Sequence, residues 1–204
     1  MSILSDRYAS PAMKQIWSSK SKIASERRLW IKVMRAQSEL GLDIPAAAIA
    51  DYERVIDSID LESIDKREKD LRHDVKARIE EFNSLAGHQY IHIGMTSRDL
   101  TENIEAAQIK AGLELIRFKS IALLCALGEK SAEYKAFAIV GRSHNVPAQI
   151  TTLGKRFASI AEELLYSYQR LENLIENFPI RGLKGPVGTA QDSYEAMGDK
   201  YQSL

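Results

Sequence analysis

The sequence is short of nearly everything that builds covalent cross-links, sheets or membrane anchors. Among its 204 residues there is one Cys, which excludes an intramolecular disulfide framework and fits a reducing compartment. That residue, Cys125, sits among apolar neighbours in SIALLCALG and is expected to be a core thiol. Aromatics make up 7%, Pro 5 and Gly 11 positions, and no segment alternates with period two between hairpin signals, so strands are not expected. No apolar run approaches the roughly 18 residues of a membrane span. The opening MSILSDRYASP is polar and carries no hydrophobic signal region. An excess of one charge is also missing: 28 Lys+Arg balance 28 Asp+Glu, so no global field draws the chain to nucleic acid or to an anionic membrane. An anionic ligand would have to be held by local charge. The expected setting is cytoplasmic, with neither nucleic acid nor membrane as a partner.

What is present is an ordinary soluble mixture, 45% apolar and 27% charged, at a length of one to two domains. Its texture is helical, and the fold class expected is all-α. Ile23, Arg27, Trp30 and Gln37 recur at helical spacing from about Lys22 to Leu40, with Gly41 as a stop. A second helix is expected from about Pro45 to Ser58. DLESIDKREKDLRHDVKARIEEFNSLAG reads as two short helices jointed near His73–Asp74, with Asp74 able to cap the second and Gly87 ending it. Thr96-Ser97-Arg98-Asp99 fits the [ST]-x-x-[DE] start of a helix that runs unbroken to about Tyr134. Another spans about Thr151 to Asn177, with Leu153, Phe157, Ile160, Leu164, Tyr168, Leu171, Ile175 and Phe178 in a heptad-like stripe before Pro179. Two such long helices need long partners that this sequence does not supply. The expected division is a helical N-terminal domain over 1–95 and an incomplete long-helix bundle over 96–204.

Four histidines could act as acid, base or anion binder: His73, His88, His92 and His144. His144 lies in GRSHNVPAQITTLG, read as a loop entering a helix whose first turn falls near Ala148–Thr152, with Arg142 and Ser143 beside it. The plain alternative is that Ser143 or Thr151 only caps that helix. His73, between Arg72 and Asp74, could form a two-point phosphate grip with Arg72, or belong to an ordinary charged surface helix. Thr96 and Ser97 put two hydroxyls at a positive helix end, where they can cap the helix and also cradle an anion. His88 and His92 are four apart, but they lie between two Gly residues with no Cys or carboxylate cluster, so no metal site is expected. In the loop RGLKGPVGTAQD, Lys184 and the Gly backbone could approach a ligand, but the loop matches neither the dinucleotide fingerprint nor the phosphate loop of nucleotide hydrolases and alone is a weak signal.

Five blocks in order, DRY, RHDV, HIGMTSRDLTEN, GRSHNVPAQITTLGKRFA and RGLKGPVGTAQD, resemble the adenylosuccinate lyases, a branch of the fumarase/aspartase superfamily of all-helical homotetrameric lyases. RHDV is the piece characteristic of that purine-pathway branch. The resemblance implies β-elimination of fumarate from adenylosuccinate or from the succinyl-carboxamide ribotide SAICAR, without metal or cofactor. It implies His144 as the catalytic proton donor, admits His73 as a catalytic acid, and implies substrate contacts from Arg7, Tyr8, Arg72, His73, Asp74, Thr96, Ser97 and Ser143. Ser143-His144-Asn145 stands where many members carry Thr-His-Gly, and Gln149 where an acidic residue is common. The family's serine-bearing loop, G-S-S-x-M-P-x-K-x-N, occurs nowhere in these residues, so the resemblance implies a chain that continues past Leu204 and sites shared among subunits. Two other readings stand beside it: a non-catalytic helical scaffold, and a superfamily lyase or cycloisomerase without a nucleotide substrate.

Overall fold

A computed structural model of the chain describes residues 3–204. It forms two compact units, one built from the residues up to Gln108 together with Pro179–Leu204, the other from Ile109–Phe178. The expected all-α class holds, with one exception in the second unit.

In the first unit the short helices α1 (Ile3–Tyr8) and α2 (Pro11–Ile16) precede α3 (Ser19–Glu39). Ser18 starts α3 by accepting from the Ser21 N–H, and Gly41, at φ 102°, takes the left-handed turn that ends it. The face carrying Trp30, Ile31 and Met34 packs with Ile44, Tyr52 of α4 (Ala46–Arg54), and Val75 and Phe82 of α6 (Asp74–Ala86). Phe82 is the centre of this core: Trp30 stacks on it at 6.3 Å, Tyr52 meets it edge-on at 4.9 Å, and the Arg27 guanidinium lies 4.4 Å above its ring. Arg27 is fully buried; its terminal nitrogens donate to the carbonyls of Val55 and Ile56, both at 2.9 Å, and to the Glu81 carboxylate, while its Nε has no partner among the described residues. A buried charge is tolerated only when paired in this way.

Helix α5 (Leu61–Leu71) ends on Arg72 in the left-handed region at φ 54°, and α6 begins two residues later. The joint is where the sequence places it, but the cap is not Asp74. His73 is the N-cap, its Nδ1 accepting from the Lys76 N–H at 3.2 Å, while Asp74 turns to Arg78 at 3.0 Å. An imidazole nitrogen can accept as a carboxylate does, and Asp74 finds a stronger partner one turn on. Helix α7 (Ser97–Glu133) begins in this unit, and α9 (Gln191–Met197) with a final 3-10 turn (Gly198–Ser203) completes it.

In the second unit two expectations fail. Residues 138–152 are an antiparallel hairpin, β1 (Ala138–Ser143) and β2 (Val146–Thr152), and α8 begins only at Leu153. The strands escape a search for alternation because both their faces are largely exposed, so no polar/apolar period is imposed on them. The turn signal is unusual as well: His144 and Asn145 take φ 49° and 64°, the pair of positive values a type I′ turn needs, without glycine. Cys125 is exposed and not a core thiol, because the middle of α7 is covered on few sides. Helix α8 (Leu153–Glu176) starts under a Thr152 cap. A Cβ on Gly154 would overlap the Ser131 carbonyl and the Lys135 backbone, which is why a residue without a side chain stands where α8 meets the end of α7. Of the heptad-like stripe only Ile175 is buried; Tyr134 against Phe157 and Arg117 paired with Glu172 hold the two helices together.

Candidate functional site

The start of α7 is organised around one carboxylate. Asp99 has no solvent exposure and accepts four hydrogen bonds: from the Thr96 N–H at 3.0 Å, the Arg181 Nε–H at 3.1 Å, the Lys184 N–H at 3.0 Å and the Gly185 N–H at 2.9 Å. Burial pushes its carboxyl up, but the three backbone donors and Arg181 outweigh that and hold it below its ordinary value. The [ST]-x-x-[DE] pattern is thus half a capping box. Asp99 reaches back to Thr96, but the Thr96 and Ser97 hydroxyls make no hydrogen bond among the described residues and remain available to a ligand.

The same carboxylate carries the Gly-rich loop. Asn103 continues the seam, exchanging hydrogen bonds with the Gly182 carbonyl and N–H at 2.9 and 3.0 Å, and Arg181 reaches on to Glu102 at 3.0 Å. Ser193 of α9 donates to the Gly94 carbonyl at 3.0 Å, so close that a side chain at residue 94 would meet its hydroxyl. RGLKGPVGTAQD and HIGMTSRDLTEN, distant in sequence, therefore form one assembly.

His92 belongs to it too, a residue that sequence reasoning set aside with the absent metal. It sits at φ 67° and accepts the Trp30 indole N–H on Nδ1 at 3.0 Å. Burial is the main reason its pKa falls from 6.5 to about 4, with Asp99 pulling the other way and His73 adding to the depression. His73 is thus near enough to be felt electrostatically. It is half-exposed, and with Nδ1 serving as the cap acceptor its neutral ring carries the proton on Nε2, ready to donate. The Arg72 side chain has no partner among the described residues. Asp74 is engaged with Arg78, which also meets the buried Glu26 at 2.7 Å, so Asp74 braces the joint. Burial is the first cause acting on both carboxyls; it leaves Glu26 raised, while the Val75 N–H and Arg78 bring Asp74 below its ordinary value.

Arg7 and Tyr8 close the last turn of α1 in the same unit, exposed and with free side chains among the described residues. Ser143 and His144 belong to the other unit. His144 is not beside a helix N-terminus, being nine residues before α8; it is one of the two residues at the exposed hairpin tip, where Arg142 donates to the Asn145 carbonyl at 3.0 Å. No cluster of three or more metal-ligating side chains exists among the described residues. No helix of the described residues is long and apolar enough to cross a membrane.

Known proteins resemble the chain along most of its length. The model of a family described as Lyase matches residues 6–198. The adenylosuccinate lyase of Saccharomyces cerevisiae is 33% identical over 210 residues, covering 98% of this chain and 43% of that protein. That of Schistosoma mansoni is 36% identical over 206 residues, covering 98% and 42%. That of Archaeoglobus fulgidus is 31% identical over 183 residues, covering 90% and 41%. The chain therefore spans little more than two fifths of these relatives. Two solved structures share the fold at low identity: a fumarate lyase from a Mesorhizobium species (TM-score 0.81, 23% identity, 93% of this chain and 46% of that one) and a β-carboxy-cis,cis-muconate cycloisomerase from Acinetobacter calcoaceticus (TM-score 0.81, 17%, 98% and 50%).

Two measurements check the site. Asp99→Asn turns one acceptor oxygen into a donor facing donors, and should lower the unfolding free energy at pH 7 by roughly 2–4 kcal/mol in urea titration. Because folding depresses the His92 pKa from 6.5 to about 4, the unfolded chain binds more protons across that window, so stability should decline as pH falls through it. His92→Asn should flatten that part of the pH–stability curve.

Proposed function

The chain belongs to the lyase family, and on that premise we propose that it carries substrate-binding and acid–base residues of an adenylosuccinate lyase. The reaction on this reading is β-elimination: a base removes the proton from the carbon beside a carboxylate, the carbon–nitrogen bond breaks, and an acid protonates the leaving nitrogen. Adenylosuccinate gives fumarate and AMP; SAICAR gives fumarate and the aminoimidazole carboxamide ribotide. The observation that supports the reading most is the assembly on Asp99, where two free hydroxyls, a helix N-terminus and the neighbouring His73 share one region. These are groups suited to phosphate and carboxylate oxygens, in a chain with no net charge to attract them.

In this proposal Arg72 and His73 grip the phosphate while Asp74 keeps their joint in shape. Thr96 and Ser97 hold an anionic group of the substrate, and Arg7, Tyr8 and Ser143 add contacts. His144 is the proton donor to the leaving nitrogen, and its exposed hairpin tip suits a residue that meets a substrate held largely by other elements. His73 is the second candidate acid. No metal or cofactor takes part.

The functional division follows the bundle: a helical domain over 1–95, then the first part of a long-helix domain over 96–204. A hairpin of two strands is marginal alone in water, and Ile150 on it is 80% exposed. Both this and the half-covered stripe of α8 support a homotetramer in which other subunits cover these surfaces and share each site; the single Cys supports a cytoplasmic setting. The serine-bearing loop that would supply the base has no counterpart among the 204 residues.

His144→Ala in the full-length enzyme should lower kcat for adenylosuccinate by on the order of 10²-fold with the fold intact, and a change under threefold would remove His144 from the mechanism. The purified 204-residue chain should release no fumarate above background, measured by the absorbance of fumarate; turnover by that chain would overturn the need for further residues.

A further inference from the structure

Helix α3 touches the 91–95 loop at two residues seven apart. Gln37, 2% exposed, gives its amide to the Ile93 carbonyl at 2.8 Å, and Trp30, 1% exposed, gives its indole N–H to His92 Nδ1 at 3.0 Å. We propose that Trp30 is a positioning residue for His92: its indole N–H fixes the imidazole in the neutral Nε2–H tautomer, which then donates to an anionic oxygen of the ligand held beside Thr96 and Ser97. The identity of that ligand rests on the lyase reading above; the tautomer does not.

A ring nitrogen that accepts a hydrogen bond carries no proton, so Trp30 places the single proton of neutral His92 on Nε2. Indole N–H is a donor and nothing else, so the assignment has no mirror image in which Nδ1 donates back. Nε2 has no partner among the described residues. Trp30 cannot turn away, because it stacks on Phe82 with an interplanar angle of 26° in the core, and it meets the His92 ring edge-on at 85° and 5.9 Å. The His92 backbone needs this support, since φ 67° lies in the left-handed region that a residue with a side chain adopts only under constraint. Gln37 holds the next carbonyl, Ser193 the one after. Three side chains from two helices, α3 and α9, thus hold three consecutive residues, and the donor sits on a rigid helix-backed loop.

The test is a double-mutant cycle in the full-length enzyme. Trp30→Phe keeps an aromatic ring on Phe82 but deletes the donor, and His92→Asn keeps a residue that tolerates positive φ but deletes the imidazole. Trp30→Phe should raise KM for adenylosuccinate on the order of tenfold with kcat changed less than threefold. The double variant should lose no more kcat/KM than His92→Asn alone, within about twofold. Losses that multiply would show that Trp30 acts through packing and would overturn the proposal. The second readout is the ¹⁵N spectrum of histidine-labelled wild-type enzyme, with the His92 signal assigned by its disappearance in His92→Asn. A neutral Nε2–H ring at pH 7 is expected, and an Nδ1–H or doubly protonated ring would overturn the proposal even if Trp30→Phe does not fold. An enzyme that releases no fumarate from adenylosuccinate would refute the lyase reading instead, and the tautomer would still decide the role of Trp30.

Discussion

Four donors converge on the carboxylate of Asp99, and three of them are backbone N–H groups, one from Thr96 close by and two from Lys184 and Gly185, 85 and 86 residues further along the chain. A buried carboxylate with no donors would be costly; with four it becomes the point at which a helix start and a glycine-rich loop take fixed positions. The Asp99 carboxylate accepts the Thr96 N–H while the Asp99 N–H donates to the Thr96 carbonyl at 3.0 Å and not to the Thr96 hydroxyl, so the Thr96 and Ser97 hydroxyls make no capping hydrogen bond among the described residues. Arg181 and Asn103 extend the same seam, and Ser193 ties in the loop just before it. The chemistry proposed for this region depends on those hydroxyls being where Asp99 leaves them.

Behind the polar seam lies the aromatic core on Phe82, and the two meet at Trp30. One side of that indole is packing, the other is a directed N–H. A core residue with a polar handle can transmit the rigidity of the core to a side chain at the surface, which a Leu or Phe in the same place cannot do. The Arg78 cluster does similar work at the other joint: Glu26 and Asp74 share its guanidinium, and the His73 cap sits one residue away.

How much of this could be read beforehand varies residue by residue. Helices α3 and α5 to α8 were legible because apolar period, caps and Gly stops agree with one another over long stretches. The Arg72-His73-Asp74 block was legible as a joint, yet which of its side chains caps α6 depended on Arg78 competing for Asp74. Cys125 misled because an apolar neighbourhood in sequence does not decide whether anything covers that face. The hairpin misled for a related reason: exposed strands carry no alternation, and a His-Asn turn lacks the glycine that usually announces it. His92 could be named only as one of four histidines able to act as acid, base or anion binder, and nothing local to GHQYIHIG points to Trp30, 62 residues earlier.

The sequence by itself determined the helical class, the long helices with their stripe, the balance of charge and the ordered blocks that place the chain among lyases. These are properties of neighbours along the chain, where period and capping act over a few residues. Only the tertiary structure decided that Asp99 serves two loops at once, that His92 is neutral beside His73, that His144 stands on a hairpin tip, and that Trp30 is more than core. Each of those depends on groups brought together from distant positions, where burial and competing partners set the charge and direction of a side chain.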